Sequence, residues 1–334
     1  MVGPTLTGSE RVLLADIGGT NARFALLSRG EIGPITRIKV ADHPDSIEAI
    51  AGFLTSHATG GQIRAAVLGV AGTVESNRCR VTNSHWAVDG GALQAAFGIN
   101  AVWLLNDFEA LAWSLPKLTA ADLYPIGGGR SVAGAPMLVI GPGTGFGTAC
   151  LVPRDGSTVA IAAEAAHTTL PGASQREHAV IDHLLSQFGH VSVERALSGP
   201  GLENLYRALA AIDRVGVDPR DATAITQAAR DGSCGTSRAA LDMFYAMLGT
   251  VAGNLALTFC ARGGVYVAGG IVPRLVDDVA RSKFRERFEA KGRYRSYLEG
   301  IPTSIILRPD VTFIGLQTFF ERQRGAQHAS DRVG

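Results

Sequence analysis

The sequence predicts an α/β chain folded in two lobes. Unbroken apolar runs at Ala65–Val70 and Ala101–Leu105 read as strands buried on both faces, hence as a sheet covered by helices. Helical periodicities flank the strand clusters on either side. Two glycine-rich turns each follow an apolar strand directly: DIGGTN, Asp16–Asn21, and GPGTGFG, Gly141–Gly147. At 334 residues the chain is long enough for about two domains with a sizeable core.

Three short strands are expected at the start: Val12–Ala15 running into Asp16, Arg23–Leu27, and the alternating run Ile35–Val40. A helix opens at Asp45, with Glu48 three residues on in a capping-box-like arrangement, and its apolar positions Ile47, Ile50, Ala51 and Leu54 keep helical spacing. After Pro116 the pattern resets. Leu138–Ile140 is a strand entering the second glycine-rich turn, and Val159–Ala162 is another. Helical periodicity covers 176–187, 201–212, 222–230 and 238–260. Val265–Ala268 is a strand running into Gly269–Gly270. A charged helix spans Pro273–Glu289, with proline in its first turn. A last strand, Thr303–Leu307, and a helix around Gly315 complete the chain.

Composition narrows the function classes. Apolar residues make up 46% and charged residues 18%, which excludes a disordered polyelectrolyte. With 31 Lys and Arg against 30 Asp and Glu, the net charge is +1, so the chain carries no footprint for nucleic acid or an anionic membrane. The 41 glycines ask for many tight turns or close backbone approaches. Cys79, Cys150, Cys234 and Cys260 are far apart in sequence and show no ligand spacing. A disulfide framework or zinc ribbon is therefore not expected, and a reducing cytoplasm is. The opening MVGPTLTGSE has no cationic start or apolar core, so no export signal is expected. The apolar stretch 246–261 is interrupted by Thr250, Asn254 and Thr258 and reads as a core helix, not a membrane span.

The glycine-rich turns present backbone N–H groups without side chains in the way, which suits phosphate oxygens. Neither is followed by G-K-[ST] and neither fits G-x-G-x-x-G, which excludes a P-loop and a dinucleotide fingerprint. Asp16 is placed to hold Mg²⁺ through water or to cap its own turn. Asn106–Asp107 stands at the C-terminal end of an apolar strand, where ligands gather in open α/β sheets. Asp107 there is either a proton acceptor for a substrate hydroxyl, beside an orienting Asn106, or the cap of a helix starting at Phe108. Glu164 and His167, in the segment EAAH, and Glu194 supply the fixed donors and acceptors that a polyhydroxylated ligand requires.

On LADIGGTNARFAL (Leu14–Leu26), TNSHW (Thr82–Trp86), LLNDFEALA (Leu104–Ala112), GPGTGFG, ERALSGPGLENLYRAL (Glu194–Leu209) and VAGGIVPR (Val267–Arg274), nearly the whole chain resembles the bacterial glucokinases of the hexokinase–actin ATPase superfamily, in the branch without zinc. The resemblance implies a two-lobed actin-like, ribonuclease-H-like ATPase fold with its active site in the interlobe cleft. The small lobe would comprise residues 1–112 and 308–334, and the large lobe 113–307. It implies that Asp16, Gly18, Gly19, Thr20 and Asn21 form the first phosphate loop and Gly141, Gly143, Thr144 and Gly145 the second. Gly269 and Gly270 correspond to the adenosine motif, Asn106, Glu164, His167 and Glu194 to sugar ligands, and Asp107 to the catalytic base, itself in contact with the sugar. ATP, Mg²⁺ and D-glucose follow as ligands, glucose 6-phosphate as product, and a cytoplasmic homodimer as the assembly, with no dedicated protein metal site, nucleic acid or membrane.

The chain departs from the family at Ala165–Ala166, where two glycines are usual. Alanine fits there at negative φ and is strained at positive φ. That departure keeps a kinase for mannose, fructose or an N-acetyl hexosamine as an alternative. A non-catalytic sugar sensor is the remaining one, disfavoured because Asp107 is present and only about ten residues precede the first strand, too few for an added DNA-binding helix pair.

Overall fold

The computed structural model describes residues 10–57, 62–154 and 157–330. The N-terminal residues 1–9, on which the expectation about an export signal falls, lie outside the described residues. The chain divides into two compact units: residues up to Lys117 together with those from Pro309 onward, and Leu118–Arg308.

The first unit holds β1 (Glu10–Ile17), β2 (Asn21–Ser28), β3 (Glu31–Ile32), β4 (Thr36–Lys39), β5 (Gln62–Val70), β6 (Arg78–Arg80), β7 (Ala87–Asp89) and β8 (Ala101–Asn106), with helices α1 (Ser46–His57), α2 (Gly90–Phe97) and α3 (Asp107–Ser114) and a C-terminal helix, Val311–Ser330. The main sheet runs β3-β2-β1-β5-β8, with β4 also on β2. β1 lies antiparallel to β2 and parallel to β5, and β5 lies parallel to β8. Ala65 to Val70 are all buried, as an unbroken apolar strand requires.

Alternate residues of these strands face two different cores. Leu13, Ala15 and Ile17 join Ala66, Leu68 and Val70 against Ile50, Phe53 and Trp86. On the opposite face a Cβ at Gly69 would lie 3.3 Å from Ala110 of α3 and 3.5 Å from Thr312 of the C-terminal helix. That helix approaches α3 so closely that a Cβ at Gly315 would sit 1.7 Å from the Ala110 carbonyl oxygen, so only glycine fits. The α1 cap is as expected on one side: the Glu48 N–H donates to Asp45 Oδ1 at 2.8 Å. The Glu48 carboxylate turns instead to His43 Nδ1, at 2.6 Å.

The second unit holds β9 (Leu123–Gly127), β10 (Met137–Pro142), β11 (Phe146–Arg154), β12 (Ser157–Ala162), β13 (Gly264–Val267) and β14 (Thr303–Ile306) in the order β12-β11-β10-β13-β14-β9. Its helices are α4 (Gln175–Phe188), α5 (Gly199–Asp213), α6 (Ala222–Arg230), α7 (Gly235–Thr258), α8 (Val276–Arg281), α9 (Phe284–Glu289) and α10 (Arg295–Glu299). α7 is long and apolar enough to cross a membrane, but 78% of its most apolar window is buried inside the unit, as expected of a core helix.

Three local expectations are corrected. The charged helix 273–289 is broken into a 3-10 turn (Val272–Arg274), α8 and α9. Ser282 sits extended between α8 and α9; its hydroxyl donates to the Val279 carbonyl and accepts from the Phe284 N–H, offering the backbone an alternative to continued helix. The second glycine-rich turn is narrower than its motif: Gly141 lies within β10, paired with Gly147, and only Gly143–Gly145 turn. β9, which periodicity did not reveal, pairs antiparallel with β14.

Candidate active site

In the first unit, register positions the candidates. Ile17 pairs with Val70, and Val70 with Asn106, so β1, β5 and β8 end level with one another. At strand spacings of about 4.8 Å, the turn after β1 and the residues after β8 lie about 10 Å apart along one sheet edge. Residues 18–20 form the β1–β2 turn, where the Gly18 N–H donates to Asn21 O at 3.0 Å. Gly19 passes close to the Thr82–Asn83 backbone; a Cβ there would be 2.5 Å from Thr82 O. The Thr20 carbonyl is held by the Val40 N–H at 3.0 Å. Asn21 is the first residue of β2, exposed, and pairs with Lys39.

Asp16 does not cap its turn. Arg23, its partner across the hairpin, donates from Nε to Asp16 Oδ2 at 2.8 Å and from Nη2 to the same oxygen. Arg23 Nη1 reaches the Pro309 carbonyl at 3.3 Å, and the guanidinium lies 5.5 Å from the centre of the Phe313 ring. Motif reading missed Arg23. The pairing was nonetheless available, since a tight turn after Asp16 puts residue 23 opposite residue 16.

Asn106, not Asp107, is the cap of α3. Its Oδ1 accepts from the N–H groups of Phe108 (2.9 Å) and Glu109 (3.2 Å), and its Nδ2 donates to the Gly72 carbonyl at 3.1 Å. Asp107 opens the helix and accepts from the Phe108 N–H at 3.0 Å. Its negative charge is felt by the buried Cys79, whose thiol is pushed up first by burial and then by Asp107.

In the second unit, β10 and β13 run parallel in register to Ile140 and Val267, so the Gly143–Gly145 turn and Gly269–Gly270 leave the sheet at the same edge. Gly269 has φ +90°, and a Cβ on it would come 2.4 Å from Pro142 O, which demands glycine twice over. β12 returns antiparallel along β11, and the Ala163 N–H donates to Thr148 O at 3.0 Å, bringing Glu164 back toward the beginning of β11.

Glu164 and His167 bracket a 3-10 turn, Ala165–His167, with His167 Nε2 3.8 Å from Glu164 Oε2 and both side chains well exposed. Ala165 and Ala166 are buried, and neither has positive φ. The alanines therefore sit without strain where the family usually has glycines. The turn carrying Glu194 (Val193–Arg195) is joined to this segment by the Val193 N–H, which donates to Thr168 O at 2.9 Å. Glu194 Oε2 accepts from the Phe146 N–H at 3.0 Å. Each unit thus gathers its own share of the candidates: Asp16, the first turn, Asn106 and Asp107 in one; Glu164, His167, Glu194, the second turn and Gly269–Gly270 in the other.

Comparisons with known proteins show the family. The family model described as Glucokinase matches residues 13–323. The chain is 44% identical over 311 residues to a glucokinase of Paramagnetospirillum magneticum, covering 92% of this chain and 97% of that one. It is 42% identical over 304 residues to a glucokinase of Nitrobacter hamburgensis, covering 91% and 95%. A crystal structure of glucokinase from an Antarctic psychrotroph superposes with a TM-score of 0.85 at 32% identity, covering 93% of this chain and 99% of that one. The architecture is the two-lobed actin-like ATPase fold of those sugar kinases. By sequence, by structure and by the glycine-rich turns that both units carry, the chain belongs to the glucokinase family.

Proposed function

We propose that Asp107 is the general base of a phosphoryl transfer from ATP to the 6-hydroxyl of D-glucose. ATP-dependent phosphorylation of glucose by a hexose kinase goes with the family. The observation that carries the assignment of the base is the level ending of β1, β5 and β8, with a glycine-rich turn at one side of the edge and Asp107 at the other. Phosphoryl transfer requires a phosphate cradle and a hydroxyl acceptor held at fixed separation, and rigid strands supply it.

In this reading Gly18, Gly19, Thr20 and Asn21 form one phosphate loop, and Gly141, Gly143, Thr144 and Gly145 the second. Gly269 and Gly270 receive the adenosine. Asn106 keeps one amide hydrogen for a sugar oxygen while its other polar capacity holds α3. Glu164, His167 and Glu194 orient the remaining hydroxyls. Asp107 accepts the 6-hydroxyl proton as the bond to phosphorus forms. The negative φ of Ala165 and Ala166 removes the steric motive for another hexose.

No group of three or more His, Cys, Asp or Glu among the described residues could hold a metal ion. Asp16, whose Oδ2 is taken by Arg23, would hold a divalent cation carried in by the nucleotide, through water. When bound, Mg²⁺ neutralises charge on the phosphate oxygens. The family resemblance supports a cytoplasmic homodimer.

The test is a coupled assay that follows ADP and sugar phosphate separately over a panel of hexoses, for the wild type and Asp107→Asn. Glucose is expected to be the preferred sugar, with little ADP formed in its absence. The variant is expected to lose on the order of 10³ or more in kcat while binding glucose within a few-fold of the wild type. Near-normal turnover would remove Asp107 from the mechanism.

A further inference from the structure

We propose that Glu194 is a positioning residue for the nucleotide as well as a ligand for the sugar, so that one carboxylate couples the two substrates. The proposal rests on the kinase reading above. The Gly143–Gly145 turn is short, and its N–H groups are divided. That of Gly143 is spent inside the turn, on Gly145 O at 2.8 Å. That of Phe146 is spent on Glu194 Oε2 at 3.0 Å. Those of Thr144 and Gly145 have no acceptor among the described residues and remain for phosphate oxygens.

The Glu194 segment grips the turn at a second point. The Gly199 N–H donates to Gly143 O at 2.8 Å. Ser198 locks the stretch between the two grips: its hydroxyl donates to Glu194 O at 2.8 Å and accepts from the Gly201 N–H at 2.9 Å. The carboxylate also lies flush against Gly145, where a Cβ would be 2.5 Å from Oε2. Gly145 does not have positive φ, so the glycine answers to the carboxylate and not to the backbone.

Glu194 is half-buried and Oε2 is committed to the turn, which leaves Oε1 for a sugar hydroxyl. A sugar bound there restrains the carboxylate, and the restrained carboxylate fixes the turn that meets the phosphates. By reciprocity, nucleotide on the turn raises the affinity for sugar by the same factor. A carboxylate that served the sugar alone would act on the nucleotide only as a like charge near the triphosphate. Its removal would then leave nucleotide affinity unchanged or improve it.

Calorimetric binding of Mg-AMP-PNP to the intact protein, without sugar and at saturating glucose, separates the two roles. Without sugar, Glu194→Ala is expected to weaken Mg-AMP-PNP about tenfold through the lost acceptor for the Phe146 N–H. Glu194→Gln retains an acceptor and is expected to stay within about twofold of the wild type, although both variants bind glucose more weakly. The wild type is expected to bind the analogue more tightly in glucose than without it, and Glu194→Ala to lose that gain. Thermal melts establish that the variants are folded. A folded Glu194→Ala that binds Mg-AMP-PNP as well as the wild type without sugar overturns the proposal. So does a Glu194→Gln variant that loses nucleotide affinity to about the alanine level, a readout that stands even if the alanine variant does not fold. Wild-type protein that binds no Mg-AMP-PNP at all overturns the kinase reading and this proposal together.

Discussion

Gly145→Ala isolates the fit between the second turn and Glu194, the carboxylate proposed to hold the sugar. The backbone at Gly145 accepts an L-residue, since φ is not positive, and the nearest atom to the new methyl is Glu194 Oε2 at 2.5 Å. Ordinary contact begins near 3.4 Å, so the carboxylate must withdraw by about 0.9 Å. The 3.0 Å bond to the Phe146 N–H cannot survive a shift of that size with useful geometry. Because the displaced atom ends a flexible side chain, the fold is barely disturbed, and the melting temperature should fall by no more than a few degrees, roughly 1 kcal/mol or less. On the proposed function the sugar then loses its bond to a placed carboxylate, worth about 1.5–3 kcal/mol for a charged acceptor. The KM for glucose should therefore rise about 10- to 100-fold, with a smaller change in kcat. Initial rates of ADP formation against glucose concentration, at saturating ATP, measure it. A glucose KM within about twofold of the wild type, in a folded variant, would refute the idea that Glu194 must rest against a bare backbone.

Arg287→Ala should destabilise the second unit by about 3–5 kcal/mol in chemical denaturation at neutral pH, because it leaves the buried Glu177 carboxylate without the guanidinium that now bonds both its oxygens at 2.6 and 2.9 Å. Burial raises the Glu177 pKa, but the Arg287, Ala173 and Ser174 hydrogen bonds outweigh it and hold the group below its ordinary value. Its stabilising contribution is thus fully present above the unfolded carboxyl pKa of about 4.5 and is lost as pH falls through the lower folded value, so the gap between wild type and variant should narrow in acid. Ala166→Gly, which restores a glycine typical of the family, should cost about 1 kcal/mol and leave the glucose KM within about twofold, since the alanine is buried at negative φ; a marked gain in glucose affinity would count against the unstrained reading. A thiol reagent near pH 8 should modify Cys260 and Cys234 quickly in the native protein and all four cysteines only after denaturation, because burial pushes Cys150 up to about 12 and Cys79 upward as well; rapid native labelling of Cys150 would contradict its burial.

Much of this architecture was legible in the sequence because the physics that sets it is local. Ala65–Val70 had to be a two-sided strand on apolarity alone, and α6 ends where its periodicity ends. β9 escaped because a five-residue edge strand with mixed burial has neither an apolar run nor clean alternation. The break at Ser282 escaped because a competing side-chain hydrogen bond does not alter the hydrophobic pattern. At the candidate site, motifs named the residues but not their bonds to the scaffold. Asp16 and Asn106 read as ligands, yet each is also bound into the scaffold, one by Arg23 and the other as a helix cap. The link from Glu194 to Phe146 crosses 48 residues and a backbone N–H, which no pattern of residue types can announce.

The C-terminal helix has a further consequence for how the chain is made. The unit bearing Asp16 and Asp107 is discontinuous, and its core is closed by residues from Pro309 onward. Phe319 packs against Trp103 and Trp113, and Gly315 seats the helix on Ala110. During vectorial synthesis the second unit, which is continuous, emerges whole and can fold first. The first unit must wait, its sheet exposed on one face, until the helix Val311–Ser330 leaves the ribosome. A nascent chain therefore cannot display a finished sheet edge beside Asp107 before residues 311–330 have been made, and loss of this helix is a folding defect in the unit that was begun first.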